Sequence, residues 1–195
     1  MQTPRPSLPF LYLVTPEPEN TKQFKPFIHQ LEKSLISGIR LVQLRAKTLE
    51  PGLYKKLSID VLACCQEHGA ILMLNADPQL VNVTGAHGVH LDGTRLAAYR
   101  QRPLDPDKLV SAACHTVEQL KKSETLGANM VTLSPVLATA SHPGAHPLGW
   151  EAFADMTAVT KLPVYALGGM TRQLLACAQK NGAYGIAGIR SFWCE

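Results

Sequence analysis

The chain has 195 residues, of which 46% are hydrophobic and 17% charged, and its formal net charge is +4. These values are typical of a soluble globular domain with a substantial core, and we expect one domain over residues 1–195 with an irregular tail over 1–9. No apolar run has membrane-spanning length, and no basic run is interleaved with aromatic residues. We therefore expect neither a membrane protein nor a nucleic-acid-binding protein. The five cysteines lack zinc-finger spacing, which favours a reducing, cytoplasmic setting.

Short apolar strands alternate with helical patterns along the chain. A strand over Phe10 to Val14 precedes helical spacing over residues 21–37. Glycine then precedes an apolar strand at five places, where a helix should end: Gly38, Gly69, Gly85, Gly127 and Gly182. Two further strands are predicted at Leu109 to Cys114 and Leu162 to Leu167, and further helices near residues 50–67, 116–126, 148–159 and 171–181.

Eight strands separated by helices predict a parallel sheet with right-handed crossovers. Eight such units most often close into a (β/α)₈ barrel, and an open doubly wound sheet is the alternative. The short step from Gly69 to Gly85 leaves room only for a short third helix. The eighth strand extends to about Ile189, so the last helix is missing or truncated, and Trp193 is expected to fill its place.

The stretch from Leu162 to Met170 predicts a phosphate-binding cup. Its apolar strand runs into two glycines, and a helical pattern begins at Thr171. Glycine lets backbone N–H groups approach a ligand closely, and a helix N-terminus attracts anions. A second strand end with glycine follows, and it adds a guanidinium and a hydroxyl. The residues of the phosphate cup are Gly168, Gly169, Gly188, Arg190 and Ser191. A purely structural pair of turns is the alternative.

Other strand ends carry polar residues that a barrel would gather at one mouth. Gln43 and Arg45 share one face of the second strand. Arg45 would point into the mouth, and its partner would be either a substrate phosphate or a carboxylate at the rim. His115, at the end of another strand, is a candidate general acid or base, or a histidine bonded within its loop.

The longest irregular stretch runs from Leu133 to Trp150. A loop of this length on a compact domain is usually functional or mobile, and we expect Thr139, Ser141 and His142 to close over a ligand. Asp77 and Asp92 end neighbouring strands, and they could share a magnesium ion with a substrate diphosphate.

Taken in chain order, several motifs resemble those of the thiamine phosphate synthase and thiazole tautomerase family, over Leu11 to Trp193. They are Gln43-Leu44-Arg45-x-Lys47, Asn75 after an apolar strand, Gly88-Val89-His90-Leu91, His115-Thr116, Ser134-Pro135-Val136 with Thr139, Ser141 and His142, Leu167-Gly168-Gly169-Met170, and Gly182-Ala183-x-Gly185-Ile186. The loop ending at Trp150 is most similar to that of synthase-like domains fused behind a Nudix hydrolase, although we find no Nudix segment in this chain.

The resemblance implies a phosphorylated small-molecule substrate. The family synthase joins a pyrimidine diphosphate to a thiazole phosphate, and pyrophosphate leaves with the help of Mg²⁺. By resemblance, the residues facing the pyrimidine and its diphosphate are Gln43, Arg45, Lys47 and Asn75. Thr139 and Ser141 would line the thiazole side. The thiazole phosphate would be held by Gly168, Gly169, Gly188 and Ser191.

The chain departs from the synthase pattern at the metal-binding positions. Ala76 and Arg95 stand where the synthase has its metal aspartates, Ala113 replaces a serine, and His142 replaces the lid lysine. We therefore first expect a metal-independent, tautomerase-like proton transfer, with His115, Arg45 and Lys47 as candidate catalytic residues. A synthase that uses Mg²⁺ at Asp77 and Asp92 is one alternative, and a non-catalytic phosphate-binding or partner protein is another. A homodimer is also possible.

Overall fold

The structure is a computed structural model that describes residues 8–18, 20–139 and 144–193. Eight parallel strands pair in chain order and close into a barrel, because the last strand pairs with the first. The strands are β1 Leu11–Val14, β2 Leu41–Leu44, β3 Ile71–Leu74, β4 Gly88–Leu91, β5 Leu109–Cys114, β6 Met130–Leu133, β7 Val164–Leu167 and β8 Gly185–Gly188. The predicted (β/α)₈ barrel is thus confirmed.

Seven α-helices are found in the described part of the chain, one between each pair of successive strands. They are α1 Phe24–Ile36, α2 Pro51–Glu67, α3 Gln79–Thr84, α4 Gly93–Ala98, α5 Val117–Thr125, α6 Gly149–Thr157 and α7 Leu175–Lys180. Short 3₁₀ turns precede α1 and α7. None of these helices is long and apolar enough to cross a membrane.

Helix α4 is the element that the sequence analysis missed. Its six residues are too few to show a helical period. The local signal is Asp92, whose carboxylate accepts a hydrogen bond from the backbone N–H of Arg95 and so caps the helix. The short third helix was predicted, and α3 matches it.

The five glycines that precede strands all adopt the left-handed conformation. Their φ angles lie between 61° and 101°, at Gly38, Gly69, Gly85, Gly127 and Gly182. Residues with a Cβ rarely adopt these angles, so each glycine ends a helix and turns the chain into the next strand. The repeated glycine pattern therefore marks real boundaries of the barrel.

Strand residues alternate between two apolar layers, as the two-residue strand period requires. One set faces the helices and forms the larger core, with residues such as Val42, Leu72 and Val131. The other set fills the barrel interior: Tyr12, Leu41, Met73, Met130, Tyr165 and Ala187. The interior is therefore filled by side chains and is not an open channel.

No helix follows β8 within the described residues, as the sequence predicted. Phe192 is instead only 1% exposed and belongs to the larger core. Trp193 is half-buried, and its ring centroid lies 4.8 Å from that of Phe27 in α1. Two aromatic side chains thus cover the place of the eighth helix.

Phe192→Ala is expected to lower the free energy of unfolding by about 3–5 kcal/mol, since it removes a fully buried ring and leaves a cavity. Urea unfolding followed by circular dichroism measures the change. The matched control is Phe10→Ala, because Phe10 is 50% exposed and should lose much less. Equal losses for the two variants would contradict the role given to Phe192.

Candidate functional site

A cavity of about 350 Å³ opens at the carboxyl ends of β5 to β8. Ligand pockets for small molecules commonly have this size. It brings together His115, Thr139 and the five predicted phosphate-cup residues, and its lining is completed by Ser134, Pro135, Ala145, Leu167, Met170, Thr171, Ala187 and Ile189. The predicted cup residues are therefore neighbours in one concave site.

Gly168 and Gly169 have φ angles of 100° and 70°, which favour glycine. A Cβ at Gly168 would lie 2.9 Å from Pro135, and one at Gly169 would lie 2.8 Å from the Ala138 carbonyl oxygen. The two glycines thus allow the loops after β6 and β7 to pack together. They therefore have a structural role in addition to lining the cavity.

The charge at the phosphate cup comes from Arg190 rather than from long helices. Arg190 is exposed and lines the cavity. The helix expected from Thr171 onward is one 3₁₀ turn followed by the six residues of α7, so its dipole is small. Ser191 donates its hydroxyl hydrogen to the Met170 carbonyl oxygen at 2.6 Å. Its hydroxyl therefore ties the loop after β8 to the loop after β7.

His115 is exposed at the edge of the cavity. Its Nδ1 lies 2.8 Å from the carbonyl oxygen of Ser134, which can only accept a hydrogen bond. Nδ1 therefore carries a proton, and in the neutral ring Nε2 is the proton acceptor. The contact reaches the neighbouring loop after β6, so it positions the ring relative to the cavity.

The long loop after β6 is described only in part. Thr139 lines the cavity. Ser141 and His142, which the sequence analysis expected to close over a ligand, lie outside the described residues.

A buried polar chain crosses the mouth at the ends of β2 and β3. Arg95 Nη1 donates to Asn75 Oδ1 at 3.1 Å, and Asn75 Nδ2 donates to Gln43 Oε1 at 3.0 Å. Gln43 Nε2 in turn donates to the Tyr12 hydroxyl at 3.2 Å. Asn75 and Gln43 are only 7% and 2% exposed. Their amides are thus held in one orientation by defined donors and acceptors.

The same chain continues to the opposite side of the barrel. The Tyr12 hydroxyl lies 3.5 Å from Ser111 Oγ, which lies 2.8 Å from His90 Nδ1. Burial lowers the pKa of His90 to about 3, although the Asp92 carboxylate opposes the shift. His90 is therefore neutral at physiological pH. Tyr12 and Ser111 were not among the predicted site residues, because their only signal in the sequence is a polar group at an inward-facing strand position.

Three cations surround the ends of β2 and β4, and each is paired with a carboxylate. Arg45 lies 3.0 Å from Glu17, so the rim partner of Arg45 is a carboxylate in the loop after β1. Lys47 and Arg95 lie 3.2 Å and 3.1 Å from the same oxygen of Asp92.

The contacts of Asp92 lower the pKa of its carboxyl group. Partial burial would raise this pKa, but the Arg95 backbone N–H, the Lys47 ammonium and the Arg95 guanidinium together lower it. Asp92 is therefore ionised at neutral pH.

The two aspartates that were predicted to hold Mg²⁺ both accept hydrogen bonds from neighbouring residues. Asp92 accepts hydrogen bonds from Lys47 and Arg95, and Asp77 is exposed and accepts from the backbone N–H of Gln79. Mg²⁺ requires several oxygen ligands in octahedral geometry. No group of three or more His, Cys, Asp or Glu residues is placed to hold a metal within residues 8–18, 20–139 and 144–193. The predicted magnesium site at Asp77 and Asp92 thus gains no support from the contacts of these residues.

Proteins of known family share both the sequence motifs and the fold of this chain. The family model for thiamine monophosphate synthase matches residues 11–192. A relative from Aquifex aeolicus, named "Putative thiamine-phosphate synthase 2", is 37% identical over 95% of this chain and 98% of its own length. A thiamine-phosphate synthase from a Synechococcus strain is 32% identical over 162 residues. The aligned part is 82% of this chain and 46% of that protein.

A solved structure is similar as well. Thiamine phosphate pyrophosphorylase from Pyrococcus furiosus superposes with a TM-score of 0.75 at 22% identity, covering 92% of this chain and 84% of that one. This likeness shows the shared barrel fold. With a family match over nearly the whole chain and a relative of 37% identity, the chain belongs to the thiamine monophosphate synthase family.

Proposed function

We propose that the protein catalyses a thiamine-phosphate-synthase reaction, which joins a pyrimidine diphosphate to a thiazole phosphate and releases pyrophosphate. One observation carries the proposal. Two separate groups suited to anions occupy the same barrel mouth, namely the phosphate cup at β7 and β8 and the cations at the ends of β2 and β4. A reaction between two phosphorylated substrates uses both groups.

The reaction needs one bond to break and one to form. The bond between the pyrimidine methylene carbon and the diphosphate oxygen breaks, and its electron pair leaves with the diphosphate. The ring nitrogen of the thiazole then supplies the electron pair of the new carbon–nitrogen bond. The protein has to align the thiazole nitrogen, the pyrimidine methylene carbon and the departing diphosphate oxygen, and to stabilise the negative charge that develops on the diphosphate.

Each group of residues has a place in this scheme. The phosphate of the thiazole would bind at Gly168, Gly169 and Gly188, with Arg190 as its cation, while Thr139 lies on the thiazole side. On the other side, the following residues would face the pyrimidine and its diphosphate: Gln43, Arg45, Lys47 and Asn75. The fixed amides of Gln43 and Asn75 suit recognition of a flat, polar heterocycle, since the buried chain sets their donors and acceptors.

A tautomerase-like proton transfer, our first expectation from the sequence, is the second candidate. It is favoured by His115, whose Nε2 is available as a base at the edge of the cavity. Such a reaction uses one phosphorylated substrate, so it leaves no diphosphate for the cations at the ends of β2 and β4 to bind. The names of the relatives also support the synthase hypothesis over the tautomerase hypothesis.

The direct test is pyrophosphate release on mixing the pyrimidine diphosphate with the thiazole phosphate. We expect release only when both substrates are present, together with a product of their combined mass in mass spectrometry. Neither the tautomerase nor a non-catalytic protein would release pyrophosphate. Absence of release under every metal condition tested, with thiazole phosphate still bound, would contradict the proposal.

Arg190→Ala is expected to weaken binding of the thiazole phosphate roughly tenfold, because it removes a charged hydrogen-bond donor from the phosphate cup. Calorimetry measures the affinity. The matched control is Arg172→Ala, since Arg172 also lies near the cup but donates to Ser37 Oγ and does not line the cavity. Equal weakening by both changes would indicate only a general charge effect and would argue against a specific cup.

A further inference from the structure

Arg95 lies at the centre of the charged side of the barrel mouth. A single atom, its Nη1, donates both to Asn75 Oδ1 and to Asp92 Oδ2, each at 3.1 Å. Asn75 is held by the hydrogen bond that it donates to Gln43, and Asp92 is held at the start of α4 by the backbone N–H of Arg95. The guanidinium is therefore held in place by two neighbours whose own positions are set by the barrel.

Most of the N–H donors of the Arg95 guanidinium are unused in the described part of the chain. In the described part of the chain, Nε and Nη2 form no hydrogen bond, and the side chain is 34% exposed. Lys47 Nζ has one partner there, Asp92, and its side chain is 47% exposed. Two neighbouring cations thus present unused N–H donors to the open mouth.

We infer that Arg95, together with Lys47, binds the diphosphate of the substrate directly and that no Mg²⁺ ion is required at this position. The inference rests on the proposed synthase function. It names the group that neutralises the leaving diphosphate in this chain.

The chemistry of the two cations suits this role. A guanidinium presents a planar fork of N–H donors that matches two oxygens of a phosphate, and lysine adds a point charge. Mg²⁺ needs the same carboxylate and amide oxygens that now accept from Arg95 and Lys47. A divalent ion in this place would also be repelled by two fixed positive charges. The site therefore favours an anion over a metal ion.

Replacing Mg²⁺ by the two cations does not alter which bonds break and form in the reaction. The carbon–oxygen bond of the pyrimidine diphosphate breaks, its electron pair stays on the diphosphate, and Arg95 and Lys47 stabilise that charge through N–H donors they already carry. No proton, oxidant or further reactant is needed. Both cations act on the leaving group, while the thiazole phosphate stays in the phosphate cup.

Calorimetry with inorganic pyrophosphate tests the inference without relying on turnover. We expect the protein to bind pyrophosphate with about the same affinity in excess EDTA and in excess Mg²⁺. Arg95→Ala is expected to weaken binding roughly tenfold to a hundredfold, and Arg95→Lys less. The control is Arg100→Ala, because Arg100 is an exposed arginine beyond the far end of α4 and carries the same charge.

Two further variants keep the test decisive. If Arg95→Ala fails to fold, Lys47→Ala reports on the same site, since Asp92 keeps Arg95 as a partner. Arg95→Asp places a second carboxylate beside Asp92 and should make pyrophosphate binding depend on Mg²⁺.

The outcomes separate this inference from the proposed function. Pyrophosphate binding or release that requires Mg²⁺ in the unaltered protein would overturn the inference and leave the synthase function intact. Failure of both release and pyrophosphate binding, with the phosphate cup still occupied, would overturn both. Binding in EDTA that is equally strong in Arg95→Ala would show that Arg95 is only a structural partner of Asn75 and would also overturn the inference.

Discussion

The site depends on closure of the barrel, in which β8 pairs with β1. Leu11 lies opposite Ile186 and Leu13 opposite Gly188. At this seam a Cβ on Gly185 would lie 2.3 Å from the Phe10 carbonyl oxygen, so only glycine allows the two strands to approach. Because all eight strands are parallel, closure brings every carboxyl end to one mouth. Residues far apart in sequence become neighbours there.

The mouth has two sides with different physical characters. The phosphate cup has tightly packed backbone and one exposed cation, Arg190. The opposite side has three cations paired with two carboxylates, and one of these cations, Arg95, is joined to the buried chain through Asn75, Gln43 and Tyr12. Each amide in this chain both donates and accepts, so reversing one would leave buried groups unpaired. The two amides are thus held in one orientation before any ligand binds, which limits the cost of ordering them on binding.

The fold could be predicted because its signals are local. Apolar strands and helix-ending glycines such as Gly38 and Gly127 recur along the chain, and the glycine-rich ends of β7 and β8 do line one cavity. Helix α4 was missed because six residues show no period. The polar chain could not be predicted because it joins residues 20 to 99 positions apart, and no local pattern indicates which side chains meet. The same reason hid Glu17 as the partner of Arg45.

The most direct test of the account is a crystal structure of the protein with thiazole phosphate and pyrophosphate, grown without divalent metal. We expect the thiazole phosphate to lie against Gly168, Gly169 and Gly188, and the pyrophosphate to lie within hydrogen-bond distance of Arg95 and Lys47. A pyrophosphate bound elsewhere, or bound only when a metal ion displaces Arg95 from Asn75, would contradict this expectation.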